Sequence, residues 1–311
     1  MATTADTYGI TYPDGTVQTT APVYKQEALF AFGNDGTFNQ NVSNIVNYNG
    51  VVATDTTGVG TSRKDLAAAG YGGDKAIFGY GYNGSSSVSM TNLVSNSGIV
   101  ATDTTGVGTA RTGLAAAGYG FDKALFGYGL DASYYSMTNL VSNAGVVATD
   151  TTGVGTGRHY LAAAGYGLDK AIFGYGLSPS TIYASMTNLV SNTGVVATDT
   201  TGVGTGRYSL AAASYGFDKA IFGYGYSGTS SAVVNLVSNT GVVASNTFGA
   251  TARYLLAAAG YGADKAIFGY GYSGSSNQSV TNKVSNLGTV QSTVTGVGTA
   301  RYGLAGASFS S

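Results

Sequence analysis

Arg111-Thr112-Gly113-Leu114-Ala115-Ala116-Ala117-Gly118-Tyr119-Gly120-Phe121-Asp122-Lys123-Ala124-Leu125-Phe126-Gly127-Tyr128-Gly129 joins a run of small residues to a turn and then to an aromatic strand. The pattern recurs along the chain. Arg63, Arg111, Arg158, Arg207, Arg253 and Arg301 stand 48, 47, 49, 46 and 48 residues apart, each just before a Leu and small-residue run. Five of those runs lead into an Asp-Lys pair (Asp74-Lys75, Asp122-Lys123, Asp169-Lys170, Asp218-Lys219 and Asp264-Lys265), followed by Ala-Ile/Leu-Phe-Gly-Tyr-Gly. Self-similarity at this period marks a repeat architecture, whose units bury their faces only against neighbours. The first aromatic strand, Ala28 to Gly33, has no Arg-led strand before it, and the last Arg-led strand, Arg301 to Phe309, has nothing after it. The chain ends thus complement each other.

Each unit reads as four short strands: Arg-x-x-Leu-Ala-Ala-Ala-Gly-Tyr, Lys-Ala-Ile-Phe-Gly-Tyr, Met-Thr-Asn-Leu-Val-Ser-Asn and Gly-Val-Val-Ala-Thr, with turn residues between them. Gly in every window and the lack of a sustained spacing of three and four exclude helix. Four strands per repeat of this length fit one blade of a β-propeller, so the expected fold is all-β: six four-stranded blades over residues 23–311, the N- and C-terminal strands closing one blade, behind an arm of residues 1–22. The order Arg, small apolar strand, turn, aromatic-Gly strand and Asn-Thr-Gly over residues 24–311 resembles kelch repeats. Gly-Tyr-Gly stands here in place of the kelch double glycine, and Val in place of its Trp. The Leu-Ala-Ala-Ala strands are expected nearest the axis, where only small side chains let backbones converge, with Ile77, Phe78, Tyr80 and their counterparts between blades.

Composition sets limits on function. Charged residues are 9% of the chain against roughly 25% in an ordinary soluble domain, so Thr, Ser, Asn and Tyr must cover the surface. A formal net charge of −1 gives no broad attraction for nucleic acid or an anionic membrane, and neither is expected as a partner. Cysteine is absent, which excludes disulfides, thiolate catalysis and cysteine-ligated zinc. The start of the chain has no secretory pattern, and no apolar run approaches the roughly 20 residues of a membrane-spanning helix.

Within the arm, Ile10-Thr11-Tyr12-Pro13-Asp14-Gly15-Thr16-Val17-Gln18-Thr19-Thr20-Ala21 reads as two Thr-rich extended stretches joined by a Pro-Asp-Gly turn. Such a hairpin has too little apolar surface to fold alone. The string resembles the Phe/Tyr-x-Asp-Gly-Thr-x-Gln-Thr-Thr-Ala segment of tail-fibre and related structural proteins of bacteriophages, particularly those of marine and cyanobacterial hosts. That resemblance implies a virion protein, assembled in the host cytoplasm, whose Tyr12, Pro13, Asp14, Gly15 and Gln18 help anchor it to other virion proteins by strand addition. A solvated tail is the plainer alternative.

Among candidate sites, Arg63, Arg111, Arg158, Arg207, Arg253 and Arg301 are expected to ring one mouth of the axial channel. There, planar guanidiniums would hold the carboxylates, phosphates or sulfates of a surface polysaccharide. The competing role is architectural, each Arg tying down the turn that carries Asp55, Asp103, Asp150 or Asp199, and repetition in every unit favours it. Thr-Asp-Thr-Thr-Gly-Val-Gly, present four times, offers one carboxylate per loop where calcium wants six to eight oxygens, so it reads as a capped turn. Gly58-Val59-Gly60 and Gly79-Tyr80-Gly81 have no helix after them to present amides to phosphate. His159, the single histidine, is expected on a loop face, and no metal or cofactor is called for. Connections that differ between repeats, Tyr82 to Ser85, Asp131 to Tyr135, Ser178 to Thr181 and Tyr272 to Ser275, have the Tyr, Ser, Gly and Asn content of adaptable contact surfaces.

The expectation for function is a non-enzymatic phage virion protein, a tail-fibre or baseplate component or a capsid decoration, contacting host surface glycans. A free carbohydrate-binding, lectin-like propeller is the alternative. Six-bladed sialidases and copper oxidases of the kelch type fit less well, because the Ser-x-Asp-x-Gly-x-Thr-Trp motif is absent, Glu27 is the sole glutamate, and the histidines and cysteine of a copper centre are missing.

Overall fold

The computed structural model describes residues 25–179 and 182–311, together with the backbone of three short N-terminal strands, Thr4–Asp6, Gly9–Thr11 and Val17–Gln18. Its regular structure is β throughout, with no α-helix among the described residues. Six sheets share one plan. In one of them Ala67–Tyr71, Lys75–Gly79 and Thr91–Val94 form an antiparallel meander, with Ala69 opposite Ile77 and Ile77 opposite Leu93. The meander recurs in Ala115–Tyr119, Lys123–Leu130 and Tyr134–Val141, and again in Ala162–Tyr166, Lys170–Gly174 and Thr187–Val190. Ala211–Tyr215, Lys219–Gly223 and Val233–Val237 repeat it, as do Ala257–Tyr261, Lys265–Gly269 and Thr281–Val284.

The sixth sheet joins the two ends of the sequence. Ala305–Ser310 pairs with Gln26–Ala31, from Ala305 opposite Ala31 to Ser310 opposite Gln26, and Gln26–Ala31 pairs in turn with Ser43–Val46. Lys25 and Ser311 exchange backbone hydrogen bonds of 3.1 and 3.2 Å beyond it.

The fourth strand expected in each unit is reduced to isolated bridges, except at Thr247–Phe248. Val94 bridges Val100 and Thr91 bridges Thr104, so the register slips by one residue between the two points. The buried Asn92 side chain occupies the slip, its Nδ2 donating to Ala101 O at 3.0 Å and to Asp103 Oδ1 at 2.9 Å. A side-chain amide here takes over what a regular ladder would give to the backbone.

Neighbouring sheets pack face to face through apolar layers. Ile77 and Tyr80 meet Ala124, Phe126 and Leu114 of the next sheet, and the same set recurs down the chain. Gly127 shows why the second strands carry glycine after the phenylalanine: a Cβ there would stand 2.6 Å from Cζ of Phe173 in the following sheet. Backbone hydrogen bonds also cross between sheets. The amides of Gly81, Gly129, Gly176, Gly225, Gly271 and Gly33 donate to the carbonyls of Arg111, Arg158, Arg207, Arg253, Arg301 and Arg63, each at 2.9–3.0 Å. Followed in order, these six bonds return to the sheet where they began.

Candidate functional site

The six arginines are buried to 0% exposure. Arg111 lies between two sheets, its guanidinium carbon 4.5 Å from the ring centroid of Tyr80 on the preceding one. Its Nε donates to Tyr128 O at 2.7 Å, one terminal nitrogen to Thr109 O at 2.9 Å and the other to Asn139 Oδ1 at 2.6 Å. Asp150 stands 3.8 Å away. Arg158 and Arg301 repeat the set with Asn188 and Asn44, and Arg63 with Asn92 for its terminal nitrogen. The expectation that Arg63, Arg111, Arg158, Arg207, Arg253 and Arg301 line a channel mouth is therefore corrected: all six are enclosed, each against an aromatic face and a backbone carbonyl, and four of them also against an asparagine oxygen. Burial lowers the pKa of every one, that of Arg63 to about 10, which leaves the cation charged at neutral pH.

Asn44, Asn92, Asn139, Asn188, Asn235 and Asn282 are the partners that the sequence reading missed, although an Asn two residues before Val in each third strand was the available signal. Where Asp gives way to Asn246 and Thr293, the matching arginines, Arg207 and Arg253, lack the bond to Asn235 and Asn282, whose Oδ1 atoms have no partner. The aspartate thus helps to seat the guanidinium against the amide.

At the head of the first strands a second cycle closes. The amides of Gly113, Tyr160, Ser209, Leu255, Gly303 and Asp65 donate in turn to Asp65, Gly113, Tyr160, Ser209, Leu255 and Gly303, at 2.6–2.8 Å. All six residues have φ between +51° and +63°. Just inside this girdle Leu66, Leu114, Leu161, Leu210, Leu256 and Leu304 surround a cavity of about 70 Å³. Asp65 is the single acid of the girdle. Tyr160 donates its hydroxyl to Asp65 Oδ2 at 3.2 Å, while Oδ1, shielded from solvent, has no partner. Burial pushes Asp65 up to about 6 against the opposing pull of Lys64 and that hydrogen bond.

Around the girdle runs a file of aromatic rings. Tyr134, His159, Tyr160, Tyr208, Tyr226, Tyr254, Tyr272 and Tyr302 follow one another with ring centroids 4.6–6.2 Å apart. Tyr183 branches from it 5.4 Å from Tyr208, and the Lys64 ammonium ends it 5.2 Å from the Tyr302 centroid. The tyrosines are half-buried, with Tyr183 more exposed, so each has a wall behind it and a surface in front. The arc opens at Thr112 and Leu130, which bridge where other repeats place aromatics. His159 departs from its expected loop-face position: it is buried between Tyr134 and Tyr160, its pKa lowered by burial.

The variable connections border this arc and are tied to one another. Asn39 Nδ2 donates to Tyr82 O at 3.1 Å and Ser230 Oγ to Ser273 O at 2.9 Å. Ser180 and Thr181 lie outside the described residues, as do Tyr12, Pro13, Asp14 and Gly15 of the arm. Gln18 belongs to the strand Val17–Gln18, opposite Ile10 of Gly9–Thr11, so strands flank the Pro-Asp-Gly segment. Among the described residues no three His, Cys, Asp or Glu side chains gather as metal ligands would. No protein-family model matches the chain, and no curated protein matches it in sequence.

Proposed function

We propose that the chain is a closed six-bladed β-propeller that serves as a non-enzymatic attachment protein of a bacteriophage particle, gripping polysaccharide at the host surface through its tyrosine-lined face. The cyclic hydrogen bonds between sheets and the shared sheet of the two termini support the propeller. The resemblance of residues 10–21 to phage tail-fibre segments supports the virion, with residues 1–22 as the part held by other virion proteins.

The arc of rings carries the binding role. Tyrosine presents a large, rigid apolar face with a hydroxyl at its rim, and it loses little conformational freedom when a ligand docks. A sugar ring offers the complementary surface, an apolar face of C–H bonds with hydroxyls around its edge. Rings in unbroken file suit a chain of sugars better than a single one, and with the arginines enclosed a neutral or weakly charged chain fits best.

A glycan array probed with the whole protein tests the binding role. Each of Tyr208→Ala, Tyr254→Ala and Tyr272→Ala is expected to weaken capture by about tenfold, with the melting temperature little changed. A blank array for the unaltered protein would leave a scaffold without this function. Deletion of residues 1–22 separates the virion protein from a free lectin-like propeller: loss of the protein from purified particles is expected, and undiminished incorporation would remove the anchor.

A further inference from the structure

The girdle at the head of the first strands breaks the repeat. The residue that follows it is Leu in all six units, whereas the girdle itself holds Asp65, Gly113, Tyr160, Ser209, Leu255 and Gly303. Variation on a constant frame is where binding groups collect. Asp65 reaches over Gly303, where a Cβ would stand 2.7 Å from Oδ1, and Tyr160 over Gly113, where a Cβ would stand 3.3 Å from Cδ1 of its ring. The two glycines leave the space that these side chains need to meet, at the 3.2 Å bond from the Tyr160 hydroxyl to Asp65 Oδ2.

Two oxygens are left over. Asp65 Oδ1 and Ser209 Oγ are closed off from bulk solvent without a hydrogen-bond partner, and both residues line the cavity of about 70 Å³ inside the girdle. Ser209 is 4% exposed and stands three steps from Asp65 around the cycle of six, so the two flank the cavity from opposite sides. A buried carboxylate with one hydrogen bond is costly unless something completes it. Lys64 does not, because its ammonium lies against the Tyr302 ring, and no ion pair to Asp65 forms among the described residues.

The missing partner is a small cation. A cavity of this size admits a few waters or one charged head group, but no sugar ring. Calcium would want six to eight oxygens, whereas a primary ammonium has three N–H bonds to place. Asp65 Oδ1, Ser209 Oγ and the Tyr160 hydroxyl oxygen, which keeps its lone pairs while donating to Asp65, are three acceptors.

We propose that the girdle captures a primary ammonium group, R–NH3+, between Asp65 and Ser209. Its bearer, an assignment that rests on the reading of the tyrosine arc as a glycan platform, is an amino sugar of the bound chain with its nitrogen free of acetyl. Tyr160 belongs to both the arc and the girdle, so a sugar stacked on the rings beside it brings its amine to the cavity.

Thermal melts of the full chain in methylammonium chloride test the site without any glycan. The melting temperature is expected to exceed that in sodium chloride or tetramethylammonium chloride of equal concentration, since neither control cation carries an N–H to donate. The increment should vanish in Asp65→Asn and shrink in Ser209→Gly, two changes that the left-handed backbone at these positions accepts. Equal melting in the three salts would mean a cavity filled by water only and would overturn the proposal. On the glycan array, oligomers of glucosamine are expected to bind at least about tenfold more tightly than their N-acetylated counterparts, a preference lost in Asp65→Asn. Equal capture of both forms would overturn the amino sugar as bearer while sparing the tyrosine platform. A blank array with methylammonium still stabilising the protein would support the ammonium site and remove the glycan reading instead.

Discussion

Asp65 and the buried arginines show opposite ways of handling an ion inside a β protein. Each guanidinium lies over an aromatic ring and donates to a backbone carbonyl, and those of Arg63, Arg111, Arg158 and Arg301 also donate to an asparagine amide oxygen. Asp65 has one hydrogen bond from Tyr160 and an unpartnered Oδ1, and its pKa rises to about 6. A folded-state value above the unfolded value of roughly 3.9 means that the native protein binds the extra proton between the two, so this group makes stability fall as pH rises from about 4 to 6. Asp65→Asn keeps the left-handed backbone comfortable and removes the buried charge. The variant is expected to be more stable by roughly 1–3 kcal/mol at pH 7 and no more stable at pH 3.5, as measured by urea unfolding at both. Equal effects at the two pH values would mean that Asp65 ionises freely in the folded state. The arginine positions were legible in the sequence because they repeat, but their surroundings were not: pattern gives spacing along the chain, whereas exposure is set by what the neighbouring repeat lays across the side chain. The same holds for the tyrosine arc, whose members stand just before first strands, just after second strands and, at Tyr134, at the start of a third strand in different units.

At the scale of elements, strand order was readable because small-residue runs, aromatic strands and Gly-rich turns alternate with little ambiguity. The fourth strand was not, because Gly-Val-Val-Ala-Thr has strand composition while Asn92 and its counterparts divert the pairing into side-chain bonds. The Thr-Asp turns also had a hidden partner. Asp150 accepts from Thr109 N at 3.0 Å, from Thr109 Oγ1 at 2.7 Å and from Asn139 Nδ2 at 2.9 Å, which staples consecutive repeats together. Asp55 does the same with Thr299 across the chain ends. Partial burial alone would raise these carboxyls, but the hydrogen bonds outweigh it and hold Asp55, Asp103, Asp150 and Asp199 below the ordinary range. A depressed folded-state value gives stability that is present above the unfolded pKa and lost as pH falls through the folded one. Asp150→Asn is expected to cost about 1 kcal/mol at pH 7, a cost that shrinks below pH 4 as the native carboxyl protonates. Thermal melts across pH 3–7 check this, and a pH-independent difference would assign the loss to packing instead.

In the whole molecule, burial of each apolar layer requires the next sheet, and the hydrogen-bond cycles leave no sheet with a free side at the centre. The proposed propeller should therefore unfold as one body. Removing residues 305–311 strips the partner from Gln26–Ala31 and uncovers Leu29 and Phe30. The expected result is collapse of the entire near-ultraviolet circular dichroism signal, since each apolar layer depends on the next and a domain is held together by only about 5–15 kcal/mol. A truncated protein that kept five-sixths of that signal would instead behave as a string of independent units. Closure by the termini has a further bearing on how the chain comes into being. During synthesis the strand Gln26–Ala31 leaves the ribosome long before its partner Ala305–Ser310, so one of its edges stays bare until residues 305–310 emerge, and a product halted short of them lacks that latch.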